Sequence, residues 1–149
     1  MAAFASLDSG LHPFPLADGI RQAISDRLVF AGEHLRVGDK LLFDLQFRTA
    51  ISRHYYAMYH SARAIVFATH GGDDYQQHSK LPRNLPADMA DAPLRQVQLT
   101  NARLLRNEAD YDLYPASQSS WEADSRELAT IAADFVKACE EYALANGHV

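Results

Sequence analysis

The run from Arg103 to Tyr114 reads R-L-L-R-N-E-A-D-Y-D-L-Y. On a helix, residues three, four and seven apart share a face. Arg103, Asn107 and Asp110 then align, with Arg106 beside them and Tyr111 one turn beyond Asn107. That strip carries two guanidinium groups, a carboxamide, a carboxylate and a phenol. Arginine offers a planar donor fork suited to phosphate, and tyrosine can stack on a base. A plainer role is open to the same residues. Arg106 and Asp110 can form an i,i+4 ion pair worth a few tenths of a kcal/mol, and the tyrosines can fill a core.

Arg53, Tyr56, His60 and Arg63 follow one another at intervals of three, four and three, which places them on one side of a second helix. A histidine between a tyrosine and an arginine can carry a proton near neutral pH, or it can serve as a structural hydrogen-bonding group. His54 lies about 240° further round the helix from His60, so the two cannot share a metal ion. Other chemistries find no support. No glycine-rich loop has the spacing of a phosphate or dinucleotide cradle, and no H-E-x-x-H or G-x-S-x-G motif occurs. A di-iron bundle needs Glu-x-x-His pairs, but three residues after Glu33 stands Arg36, and three after Glu108 stands Tyr111. No metal or cofactor is expected.

The elements that must carry these residues are helical. The first helix is expected from Ala17 to Leu35, with Asp18 as its cap and Gly38 as its stop, on the stripe Ile20, Ile24, Leu28, Ala31 and Leu35. The second is expected from Phe43 to Thr69, ended by Gly71 and Gly72. Its stripe is Phe47, Ile51, Tyr55, Met58, Ala62 and Ile65, and Tyr56, Tyr59, Arg63 and Phe67 lie on another side. A helix apolar on several sides is a central one. A long connection from Gly71 to Ala90 follows, with a short helix near His78 to Asn84. The third helix starts near Pro93, uses Leu94, Val97, Leu104 and Leu105, and runs to Asp110. The fourth opens on a Ser119/Glu122 capping box and carries Trp121, Leu128, Ile131, Phe135, Ala138 and Tyr142.

The expected fold is therefore all-α: an antiparallel bundle of four long helices over residues 16–146, preceded by an arm at 1–15. The single cysteine, Cys139, cannot form an internal disulfide and falls in an apolar pattern, as a core residue would. The net charge of −5 argues against a protein that coats nucleic acid, so a nucleic-acid contact must be local and built from a few arginines. No apolar run approaches the roughly 20 residues of a membrane span. The N-terminus has no secretory pattern. A cytoplasmic location is expected.

Two segments carry a family resemblance. Ser52 to Ala64, S-R-H-Y-Y-A-M-Y-H-S-A-R-A, resembles the S-R-x-Y-Y-A-M helix of HEPN proteins, and Leu105 to Tyr111, L-R-N-E-A-D-Y, resembles their L-R-x-x-A-D-Y segment. The similarity spans about Arg21 to Tyr142. It implies a helical bundle that pairs as a homodimer, with a cleft where polar strips meet. Many members are metal-independent ribonucleases, and many of these are toxins paired with a nucleotidyltransferase-like antitoxin. Others bind nucleotides or RNA. The nuclease members place a histidine after the arginine with four to six residues between them. After Arg106 those positions hold Tyr111, Asp112 and Leu113. The resemblance thus implies a nucleotide- or RNA-binding or interaction module with a degenerate nuclease motif. The alternatives are a ribonuclease toxin in which His60, or secondly His78, replaces the missing group beside Arg106, and a structural subunit that docks a nucleotidyltransferase-like protein.

Overall fold

Phe47, Ile51, Tyr55, Met58, Ala62 and Ile65 recur every three or four residues, and all six are buried. They form the inner stripe of α2 (Phe47–His70). The computed structural model of the chain describes residues 16–71 and 76–149, so the arm at 1–15 lies outside the described residues. Around α2 stand α1 (Leu16–Phe43), α3 (Ala92–Tyr111) and α4 (Glu122–Ala145). Short 3₁₀ turns at Pro82–Asn84 and Gln118–Trp121 complete the order, and the described residues contain no strand. None of these helices is long and apolar enough to cross a membrane.

Named contacts fix the directions. Asp39 of α1 bonds His54 of α2, while His34 stacks on His60, so the two helices run oppositely. Arg48 reaches Ala109, while Arg106 lies over Tyr55 and Tyr56, so α3 opposes α2. Arg95 pairs with Asp134, and Tyr142 donates to Asp88 just before α3, so α4 opposes α3. The helix that is apolar on several sides, α2, touches all three others.

Several boundaries and faces differ from expectation. α1 does not stop near Leu35 but continues through Gly38 to Phe43. Gly38 is a packing glycine: a Cβ there would stand 2.7 Å from Cδ2 and Nε2 of His54. α2 begins at Phe47, after a turn in which Leu45 has φ 61°. It ends as expected at Gly71, whose φ of 71° lets its N–H reach the Phe67 carbonyl at 2.9 Å. The helical part of the connection shrinks to Pro82–Asn84. Asp18 lies inside α1 and accepts from Arg21. Glu122 is the first residue of α4, and the capping box is absent: Ser119 shares a hydrogen bond with Ser117 instead.

The largest change concerns α3. Leu94, Val97 and Leu104 are 50%, 56% and 48% exposed. Its buried face is Ala92, Arg95, Leu99, Ala102, Arg106 and Ala109. Small side chains on that face let α3 approach α2 closely, and the space left is filled by the Arg106 side chain. Cys139 is fully buried, and its thiol is pushed up to about 12 by that burial.

Candidate functional site

The polar side of α2 contributes Arg48, Ser52, Tyr56 and His60 at intervals of four, with Thr49 and Arg53 alongside. This side lines a cleft of about 700 Å³, closed by His34 of α1, Asp110 of α3 and Gln118 of the second 3₁₀ turn.

One wall is aromatic. The His34 and His60 rings stack with centroids 5.2 Å apart and planes 9° from parallel. Phe30 meets both edge-on, at 4.6 and 4.7 Å, and Tyr56 lies 5.9 and 6.2 Å from them. Arg53 Nη1 is 3.4 Å from His34 Nδ1. Arginine only donates, so Nδ1 accepts and the His34 proton rests on Nε2. Burial pushes His60 down to about 4, helped by His34, Arg63, Arg27 and His78. His34 is also lowered, by burial and then Arg53 against an opposing Glu33. At neutral pH both imidazoles are uncharged: they can accept a proton or stack, but they have no extra proton to give.

Behind this wall lies Arg106. Its Cζ is 5.2 Å from the Tyr55 ring centre and 5.3 Å from that of Tyr56. Nη1 is 3.5 Å from Asp110 Oδ2, an oxygen that also accepts from Ser52 Oγ at 3.4 Å. Both contacts are long, and Arg106 Nε is buried with no partner. A buried cation held this loosely retains much of its field for a neighbouring anion.

A second aromatic set stands on the far side of Tyr55. The Tyr55 hydroxyl and His78 Nδ1 share a hydrogen bond of 2.5 Å, and Tyr59 stacks on His78 with centroids 4.1 Å apart. His78 is lowered by burial, then by Arg106, Arg103 and Arg63. Burial raises the Tyr55 phenol far above its usual range. The phenol is therefore a poor acid.

Of the residues singled out in sequence, Arg53, Tyr56, His60 and Asp110 line the cleft. Arg106 reaches it only through Tyr56 and Asp110. Arg103 is half-buried on the His78 side, with its Nε unpartnered, and Arg63 lies 5.6 Å over the Tyr59 ring. Asn107 is half-buried and makes no side-chain hydrogen bond among the described residues. Tyr111 is 76% exposed at the end of α3 and is not a cleft residue.

Sequence reasoning missed His34, Ser52 and Arg48. Arg48 Nε donates to the Ala109 carbonyl at 2.8 Å, Nη2 donates to the Asp112 carbonyl, and the guanidinium lies 4.9 Å over Trp121. It satisfies carbonyls that the end of α3 leaves free and so holds Asp110 at the cleft. Ser52 shares the i, i+4 row with Tyr56 and His60, a signal that was available. His34 is on another helix and has no such signal. Neither family models, curated proteins nor solved structures yield a match to this chain.

Proposed function

We propose that the chain is a HEPN-like antiparallel bundle, acting as a homodimer, that binds a nucleotide or a short stretch of single-stranded RNA without cutting it. The observation that carries this reading is the cleft itself. Uncharged aromatic rings from His34, Tyr56 and His60 share the cleft with the Arg53 guanidinium and the Ser52/Asp110 pair. A stacking surface next to a cation is what a base joined to a phosphate requires. The two motif segments, Ser52 to Ala64 and Leu105 to Tyr111, supply the resemblance. The acidic balance restricts the contact to this local patch.

Binding is favoured over cleavage on chemical grounds. Metal-free RNA cleavage needs a base, an acid and charge stabilisation. Arg106 can serve the last and a neutral imidazole the first. With His60 near 4 and Tyr55 far above its usual range, neither of these groups is a ready acid at neutral pH. Pairing with a nucleotidyltransferase-like protein, as in toxin–antitoxin or defence systems, belongs to the same reading.

The test is titration of the full chain with AMP, GMP and a labelled six-nucleotide RNA, read by fluorescence anisotropy or calorimetry. Saturable binding is expected. Tyr56→Ala should weaken it at least fivefold, since stacking contributes about 1–3 kcal/mol per base. Arg53→Ala should weaken it and flatten its salt dependence. The RNA should be recovered intact, and light scattering should give the mass of two chains. RNA cut by wild type but left whole by folded His60→Gln would replace this reading with the ribonuclease one.

A further inference from the structure

Leu94, Val97 and Leu104 stand about half exposed along the outer side of α3, ten residues and roughly 15 Å from end to end. α3 and α4 share little direct packing. Between them runs a groove of about 360 Å³, in which Leu104, Leu105 and Ile131 meet the carboxylates of Glu108, Asp124 and Glu127. No lysine or arginine lines it. Among the described residues, none of these three side chains makes an ion pair or a hydrogen bond. The nearby cations are already engaged: Arg95 with Asp134, Arg126 with Glu122, and Lys137 with Glu141.

An apolar strip three helical turns long takes the i, i+3, i+7 stripe of another amphipathic helix. Three uncompensated carboxylates beside the strip set the sign of what flanks that stripe. A second copy of this chain, docked face to face, would bring the same three carboxylates against themselves, which is repulsive. Residues 1–15 hold no lysine or arginine and one aspartate, so they do not complement the groove either. We infer that the α3–α4 groove docks an amphipathic helix of a protein partner whose apolar stripe is flanked by lysines or arginines. This inference does not rest on the ligand of the α1–α2–α3 cleft.

The probe is an 18-residue labelled peptide with leucines at helical spacing and lysines on both flanks, titrated against the full chain. A second peptide has the same leucines with glutamate in place of every lysine. The lysine peptide should bind, the glutamate peptide at least tenfold more weakly. Leu104→Ser, Val97→Ser and the pair Glu108→Gln/Glu127→Gln should each weaken binding at least fivefold. A control pair that removes two acids elsewhere, Asp44→Asn/Glu140→Gln, should change it less than twofold. Circular dichroism checks the fold of each variant. The inference fails if the lysine peptide does not bind, or if the control pair weakens binding as much as the groove pair. It fails equally if Leu104→Ser and Val97→Ser are both silent. Conversion of a dimer to a monomer by Leu104→Ser would assign the groove to a second copy. A more than tenfold gain in affinity on deleting residues 1–15 would assign it to the chain's own N-terminal segment. Either result overturns the inference.

Discussion

His34 and His60 lie face to face with 5.2 Å between ring centres, although they are 26 residues apart and on different helices. Burial is the main reason that neither ring charges easily; His34, Arg63, Arg27 and His78 add to it at His60, and Arg53 adds to it at His34 against an opposing Glu33. The unfolded chain takes up a proton at each histidine near 6.5, whereas His60 in the fold resists until about 4. Between those values the unfolded state binds more protons. The contribution to stability is therefore complete above pH 6.5 and is lost as pH falls toward 4. Urea midpoints measured from pH 7 to 4 should fall for wild type and fall less steeply for His60→Gln. Equal slopes in the two proteins would remove the histidine pair as a cause.

The Arg106 side chain fills space between two tyrosine rings but has one weak ionic partner, Asp110 at 3.5 Å. Truncation and neutralisation should therefore separate. Arg106→Ala removes both ring contacts and leaves a void, at a cost of about 2–4 kcal/mol. Arg106→Met keeps most of the volume and removes a buried charge, so it should cost less than about 1 kcal/mol. Both variants should lose nucleotide binding. If Arg106→Met is as unstable as Arg106→Ala, the arginine is held for the fold. If Arg106→Met still binds ligand, the charge is not part of the site.

What could be read from the sequence, and what could not, divides along physical lines. The inner stripe of α2 was legible because six apolar residues, five of them large, repeat at one helical period, and all six are buried. Arg53, Tyr56 and His60 share one helix, so their common side also followed from spacing. The buried face of α3 was hidden because three alanines and two arginines join Leu99 on it, while Leu94, Val97 and Leu104 point outward. Gly38 read as a helix stop because a stop signal and a close approach use the same residue; only the His54 ring beside it distinguishes them. His34 was invisible for a simpler reason, since no local spacing on α1 connects it to a residue on α2.

Gly38 and His54 form a testable pair. A Cβ at position 38 would lie 2.7 Å from the His54 ring, which is fully buried and anchored to Asp39 at 2.8 Å. Gly38→Ala should destabilise by about 1–3 kcal/mol through overpacking, despite the better helix propensity of alanine. In a His54→Ala background the clash is gone, and Gly38→Ala should become neutral or stabilising. A double-mutant cycle by urea denaturation should then show a coupling above about 1 kcal/mol. Simple additivity would mean that α1 shifts to accommodate the methyl group.

Arg48 joins the end of α3 to α2 through two carbonyls and the Trp121 face. A lysine ammonium at the same position has the charge but lacks the planar fork, so it cannot hold both carbonyls while lying flat on the indole. Arg48→Lys and Arg48→Ala should both destabilise by about 1–2 kcal/mol, with lysine giving little rescue. The effect should be local. Hydrogen exchange should accelerate at Asp112, whose N–H bonds the Glu108 carbonyl, and in the turn of α3 just before it. Amides of the buried α2 stripe should keep their relative protection. Because Asp110 is carried on that turn, nucleotide affinity should fall in both variants even where the bundle stays folded. Unchanged exchange at Asp112 in Arg48→Ala would show that α3 holds its own end, and that Arg48 is a cleft residue only.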